Sequence, residues 1–432
     1  MKRFCLFLMM AIAAIVSGAA MDSLENLSDR IQTHIDGLSS RDWDKNMDAL
    51  VKIGEPAVSF LISAMNQPVQ DSLWRQRRSA GALGRIGSPA AERALLEATH
   101  DGSLNIHVRR SAVEALGQIA SPQALQTIKN IVQDIQFDVN LRSSGVYALK
   151  NFPGDDAVAI LKRAMESDEP PIHYRAGEAL AEMGSRKATA ALLQGIRINP
   201  ACLYDREVRS AIVNAPLEEA LPVLIELLPS EKWSVRSSVV QILEEMGEAG
   251  VPALLNALSH SDPRTRWIAV RILSRIQPEG DFKTWLEMLK DRHWMVRNEA
   301  AVALVNHPSK EMIAPLIELM RNERSEVQIE AAWILGEKRA TGSVDALISL
   351  LQEKGDAAWM AAVSLGKIRA QEAEKALLEG LRGNDMQVRR SSAWALHQMG
   401  LTANFDADMN QTEDPDDEIK FWINSNEWSV IK

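Results

Sequence analysis

Seven arginines, Arg109, Arg142, Arg209, Arg236, Arg266, Arg297 and Arg389, occupy one recurring position in this chain and are its most conspicuous candidates for chemistry. A column of guanidiniums suits anion binding or the stabilisation of developing negative charge, because each presents a planar fork of donors to a carboxylate or phosphate. The partners that catalysis would need do not accompany it. The eight histidines are scattered, with no His-x-x-x-His or Cys-x-x-Cys spacing for a metal. There is no Gly-x-Ser-x-Gly elbow and no phosphate-cradling glycine loop. No enzyme is indicated and no cofactor or metal is expected. A guanidinium partly withdrawn from water needs a partner in any case, so the column reads first as structure.

The elements that would position these arginines form an internal repeat. Around Arg109, taken as position zero, small residues fall at +3 and +6 (Ala112, Ala115) and larger apolar ones at +7 and +10 (Leu116, Ile119). That is one face of a helix. The template recurs at Trp43, Gln76, Arg109, Arg142, His173, Arg209, Arg236, Arg266, Arg297, Gln328, Ala358 and Arg389, at spacings of 27 to 36 residues. A second apolar helix lies between copies, as at Ala253–Leu258 and Ile313–Met320, so the unit is a helical hairpin. Helices of about 12 residues are marginal alone in water, and each must bury its apolar face on its neighbours. Ser88-Pro89 and Ser121-Pro122 read as helix starts, and Gly54, Gly87 and Gly184 as helix ends. In the sixth copy Pro216 stands where Leu-Gly should be, which predicts a kink near 199–217 dividing the array into two stacks.

The Asp-x(5)-Val-Arg-x-x-Ala-x-x-Ala-Leu-Gly pattern, carried in parts by Asp291 to Leu304 and Val108 to Gly117, resembles HEAT repeats, specifically the short phycobilisome-lyase type. The resemblance covers about residues 40 to 400. It implies an all-α fold, an α-α superhelix built as a right-handed solenoid of about twelve helical hairpins with the Val-Arg helices lining the concave side. It also implies binding of other macromolecules, and an arginine column tied to the turn acid of its own or the next repeat, with Asp291 and Arg297, Asp262 and Arg266, or Asp385 and Arg389 at suitable spacings. The phycobilin-lyase resemblance concerns the repeat only, and the His-Glu pairs of the di-iron hydroxylase built on such repeats are missing.

Positions +1 and +5 lie opposite the core positions and, by that resemblance, face the groove. In the C-terminal half they hold Trp267, Ile329, Trp333, Trp359 and Trp394, and nine of the 11 tryptophans lie from Trp233 onward. Aromatic strips of this kind mark binding sites, with packing against neighbouring repeats as the alternative. At the N-terminal end the same column is basic, with Arg77, Arg78 and Arg110, and Arg75 and Arg85 nearby. An acidic segment of a partner, or the chain's own tail, would suit it; a solvated charge cluster is the alternative.

The flanks differ from the repeats. Met-Lys-Arg is followed by an uncharged run from Phe4 to Met21 that ends in small residues, the pattern of a cleaved export signal over residues 1–20, with an uncleaved anchor as the alternative. Residues 21–42 form a lead-in, 43–400 the repeats, and 401–432 an acidic linker and a capping segment. Removing Lys2 and Arg3 with the signal takes the net charge from -10 to -12, and half of that sits in residues 401–432. The repeats therefore lack the basic field that phosphate backbones require, which excludes nucleic acid as a partner. Asp406 to Asp417 has calcium-loop spacing, but Gln411 and Asp417 replace the glycine and glutamate that such loops need, leaving a solvated acidic linker. With Cys5 in the signal, Cys202 would be the only thiol, expected to be buried and unreactive. These features predict an exported scaffold, bacterial periplasmic or secreted, that binds protein through its groove without catalysis. A lyase-like or accessory enzyme holding a small molecule there is one alternative, and a membrane-tethered adaptor, if the N-terminal segment is uncleaved, is another.

Overall fold

Short polar side chains start these helices by accepting the backbone N–H groups that the first turn leaves unpaired. Ser88 accepts from Ala91 N, Ser121 from Ala124 N and Asp385 from Gln387 N. Gly87 (φ 66°) and Gly184 (φ 59°) end their helices in the left-handed conformation that costs other residues a Cβ clash. The computed structural model describes residues 26–67, 72–277 and 280–401. Among them there is no strand, and the fold is an α-α superhelix of helical hairpins. All twelve position-zero residues lie on helices, from Trp43–Ile53 to Met386–Gln398. The segment read as an export signal and the acidic tail beyond Leu401 lie outside the described residues. No described helix is long and apolar enough to cross a membrane.

The chain divides into two compact units between Val223 and Leu224. The helix carrying Arg209 stops at Val213, before Pro216, and Leu217–Leu227 follows with Pro222 inside it. Within each unit the Val-Arg helices pack on one another in chain order, and their partner helices form a second layer. The core lies between the layers. Ala112, Ala115 and Leu116 are at most 1% exposed, and Ala300 and Leu304, Ala331 and Leu335, Ala361 and Leu365 repeat that burial.

Glycine at +8 sets how closely successive Val-Arg helices approach. A Cβ on Gly117 would lie 2.8 Å from Ala148 Cβ, on Gly84 2.7 Å from Ala115 Cβ, and on Gly366 2.8 Å from Ala395 Cα. In each case the facing residue is the small +6 side chain of the next repeat. The Ala-Leu-Gly signature is therefore a packing device, in which one residue without a side chain admits the backbone of its neighbour.

Candidate functional site

The arginine column is held by carbonyl groups. Nη1 of Arg209 donates to Leu203 O (3.0 Å) and Tyr204 O (2.8 Å), and that of Arg236 to Ser230 O (2.6 Å) and Glu231 O (3.1 Å). Arg266, Arg297 and Arg389 reach the carbonyls six and five residues back in the same way. Arg109 donates to Thr99 O, and Arg142 to Val132 O and the Glu169 carboxylate. His173, the histidine of the column, places Nδ1 2.9 Å from Ser167 O, again six residues back. Where the position holds a cationic or imidazole side chain, it donates to the turn that enters the helix, and imidazole serves there as guanidinium does.

The same-repeat pairings expected for Asp291, Asp262 and Asp385 are corrected accordingly, whereas Arg266 and Arg142 do take an acid of the next repeat, Asp291 and Glu169. Asp262 and Asp385 use their carboxylates as helix caps. Asp291 gives Arg297 only its carbonyl, while its carboxylate takes Nε (2.6 Å) and Nη2 (2.9 Å) of Arg266 from the preceding repeat. That pair is nearly buried, at 11% and 9% side-chain exposure. Beside it lies a cavity of about 540 Å³ lined by His260, Arg266, Asp291, Arg292 and His293. A column whose arginines are each anchored to turn carbonyls is committed to the helix entries rather than to a substrate anion.

The +1 and +5 residues of the second unit form a different surface. Trp267, Ile329, Trp333, Trp359 and Trp394 are all half-buried, and Val302, at +5 of the Arg297 helix, is 38% exposed between them. Nε1 of Trp267 donates to Glu299 Oε2 (2.8 Å), and the Arg271 guanidinium lies 5.7 Å from the Trp267 ring centre. Trp394 leans on the preceding helix, its Cζ3 2.8 Å from where a Gly366 Cβ would stand. Below this row Glu330 has its carboxyl pushed above the ordinary range by burial, against the pull of Arg297. Two more exposed rings, Trp233 (72%) and Trp294 (63%), open their helices at position -3, which the template read from position zero onward does not cover.

In the first unit the corresponding face is cationic. Arg77 Nε donates to Ser111 Oγ (3.3 Å) and Arg110 Nε to Ser144 Oγ (3.0 Å), the same contact one repeat apart. Arg78 donates Nη1 to Leu38 O, its guanidinium 4.5 Å from the Trp43 ring centre and 5.0 Å from that of Trp74. Arg75 and Arg85 are paired with Asp36 and Asp48. Further along, the Tyr147 hydroxyl donates to Glu182, and Lys150 bonds both.

A model of HEAT repeats matches residues 58–140, 221–304 and 282–358, more than half of the chain. The chain belongs to the HEAT-repeat family. It is similar to deoxyhypusine hydroxylase-B of Oryza sativa subsp. japonica, 27% identical over 184 residues, covering 35% of this chain and 61% of the relative. Among solved structures, this HEAT-repeat chain is similar to karyopherin Kap121p bound to Ste12p (13% identity, TM-score 0.43), covering 89% of this chain and 50% of that one. It is also similar to human deoxyhypusine hydroxylase in complex with glycerol (17% identity, TM-score 0.26), covering 79% and 96%. The chain thus spans about three fifths of the rice relative and half of the karyopherin. Among the described residues, no three or more His, Cys, Asp or Glu side chains gather closely enough to hold a metal ion.

Cys202 is fully buried, its thiol directed at His173 O (3.4 Å), and burial pushes its pKa up to about 12. The thiolate is the reactive form. Native protein at pH 8 is expected to resist alkylation by iodoacetamide, with full labelling once denatured. Rapid labelling of the native chain would contradict the packing of this thiol against the helix Pro170–Met183, where a Cβ on Gly177 would lie 3.3 Å from Cys202 Sγ.

Proposed function

We propose that this chain is a non-catalytic, exported protein-binding scaffold of the short, phycobilisome-lyase type of HEAT repeat, which captures a protein partner on the inner Val-Arg face of its second unit. One observation carries the reading. Five large apolar residues, Trp267, Ile329, Trp333, Trp359 and Trp394, keep part of their surface in solvent at the same two helix positions in successive repeats, with the more exposed Val302 among them. Aromatic rings on rigid helices bury much area at low entropic cost, the property of interface hot spots. The arginine column, engaged with carbonyls, supports a structural rather than a catalytic role for its cations. The uncharged run from Phe4 to Met21 supports export to a periplasmic or extracellular site.

The test is site-specific crosslinking. A photoreactive residue at Trp333 or Trp359 is expected to trap one discrete partner in the envelope fraction. The same residue at Glu318, exposed on the second-layer helix Ile313–Asn322, is expected to trap none. Indistinguishable products from the two faces would dispose of the assignment.

A further inference from the structure

We propose a second binding site, on the first unit, that takes an extended acidic peptide segment of a partner protein whose carboxylates are three residues apart. It is independent of the aromatic face of the second unit. Arg77 and Arg110 are held alike: in each, Nε donates to the serine hydroxyl at +2 of the next Val-Arg helix, Ser111 or Ser144. The bond fixes the plane of the guanidinium while leaving both Nη groups to point at a ligand. Arg77 is further fixed by the face of Trp74, 4.8 Å from its Cζ.

No described carboxylate lies within ion-pairing reach of Arg77, Arg78 or Arg110, although acids outnumber bases in the chain 58 to 48. Glu114, one turn beyond Arg110, instead accepts from Ser144 (3.3 Å). Arg77 and Arg78, adjacent like charges with no described carboxylate in reach, repel one another, and an incoming anion relieves that repulsion. Adjacent packed helices lie about 8–10 Å apart. Three residues of a polyproline II segment make one turn and rise about 9 Å, returning side chains to the same face, so carboxylates at i and i+3 match two forks one repeat apart. Trp74 (56% exposed) and Trp43 (38%) flank the forks and offer a platform for an apolar side chain at the end of the segment.

The experiment is fluorescence anisotropy of a labelled peptide carrying two glutamates three residues apart, titrated with the full chain at low and at physiological salt. Binding is expected to weaken with salt and to fall at least tenfold when the glutamates become glutamines or are made adjacent. Arg77→Gln keeps a donor for Ser111 and Arg110→Gln one for Ser144, so both variants should remain folded by circular dichroism. Each should lose about tenfold in affinity, whereas Arg163→Gln, an exposed cation of the second layer, should lose none. The proposal is overturned if the glutamine peptide binds equally well, if the Arg77 and Arg110 variants bind as the parent does, or if a duplex oligonucleotide binds more tightly than the peptide.

Discussion

Asp291→Ala is expected to destabilise the second unit by about 3–5 kcal/mol, the cost of leaving one partner of a buried ion pair uncompensated. The lower end of that range is expected, because Arg266 would keep its bonds to His260 O and Ser261 O. The loss has two parts. The carboxylate also accepts from His293 N (2.8 Å), which starts the turn into the next Val-Arg helix. Asp291→Asn retains an acceptor for that N–H and should cost less than alanine. Arg266→Met combined with Asp291→Ala should cost less than the sum of the single changes, since neither variant then strands a charge.

The same pair makes stability depend on pH in a defined direction. Burial alone would raise the Asp291 carboxyl, but the Arg266 hydrogen bonds, the His293 N–H and the Arg266 charge outweigh it and hold it below the ordinary 3.8. A depressed folded value means that the stabilisation is present above the unfolded value and is lost as pH falls through the folded one. Stability of the parent should therefore fall below pH 3.8 more steeply than that of Asp291→Ala. Repeat arrays open locally, so hydrogen exchange resolved by helix is the appropriate readout, with lost protection centred on Pro263–Ile276 and Trp294–Asn306. Protection lost uniformly over both units would argue against a local clamp.

The pair also shows what a sequence can and cannot convey about this fold. Helix periodicity and the recurrence at 27 to 36 residues were sufficient to place all twelve Val-Arg helices, because burial at +3, +6 and +7 is a property of one helix face. That an arginine would tie an acid of its own or the next repeat was legible, but which acid it takes was not. The interval from Asp291 to Arg297 suits a bond to the carbonyl or to the carboxylate equally well, and only the path of the turn decides that Arg266 takes the carboxylate. His173 carried part of the missing signal: an imidazole in an arginine column points to a donor for a carbonyl at that repeat. The tryptophans at +1 and +5 could be placed on one face, but not the depth to which each sinks. Trp394 rests on the helix before it because Gly366 leaves room there, a relation between repeats that no single repeat records.

Two glycines in one helix give the sharpest test of that relation between repeats. Gly81 and Gly84 both lie in Leu73–Ile86 and both carry the low helix propensity of glycine. A Cβ at Gly81 would meet only Met47 Cε at 3.6 Å, an ordinary contact, so Gly81→Ala should stabilise the first unit by about 0.5–1 kcal/mol. At Gly84 the same methyl would lie 2.7 Å from Ala115 Cβ and 2.8 Å from Ala115 Cα, and a backbone cannot swing away as a side-chain end can. Forced overpacking costs about 1–3 kcal/mol, so Gly84→Ala should be destabilising despite its better helix propensity, and Gly84→Val more so. Thermal melts of the two alanine variants should thus shift in opposite directions from the parent. If Gly84→Ala melted as high as Gly81→Ala, successive Val-Arg helices would be free to part, and their close approach would not be what the Ala-Leu-Gly signature encodes.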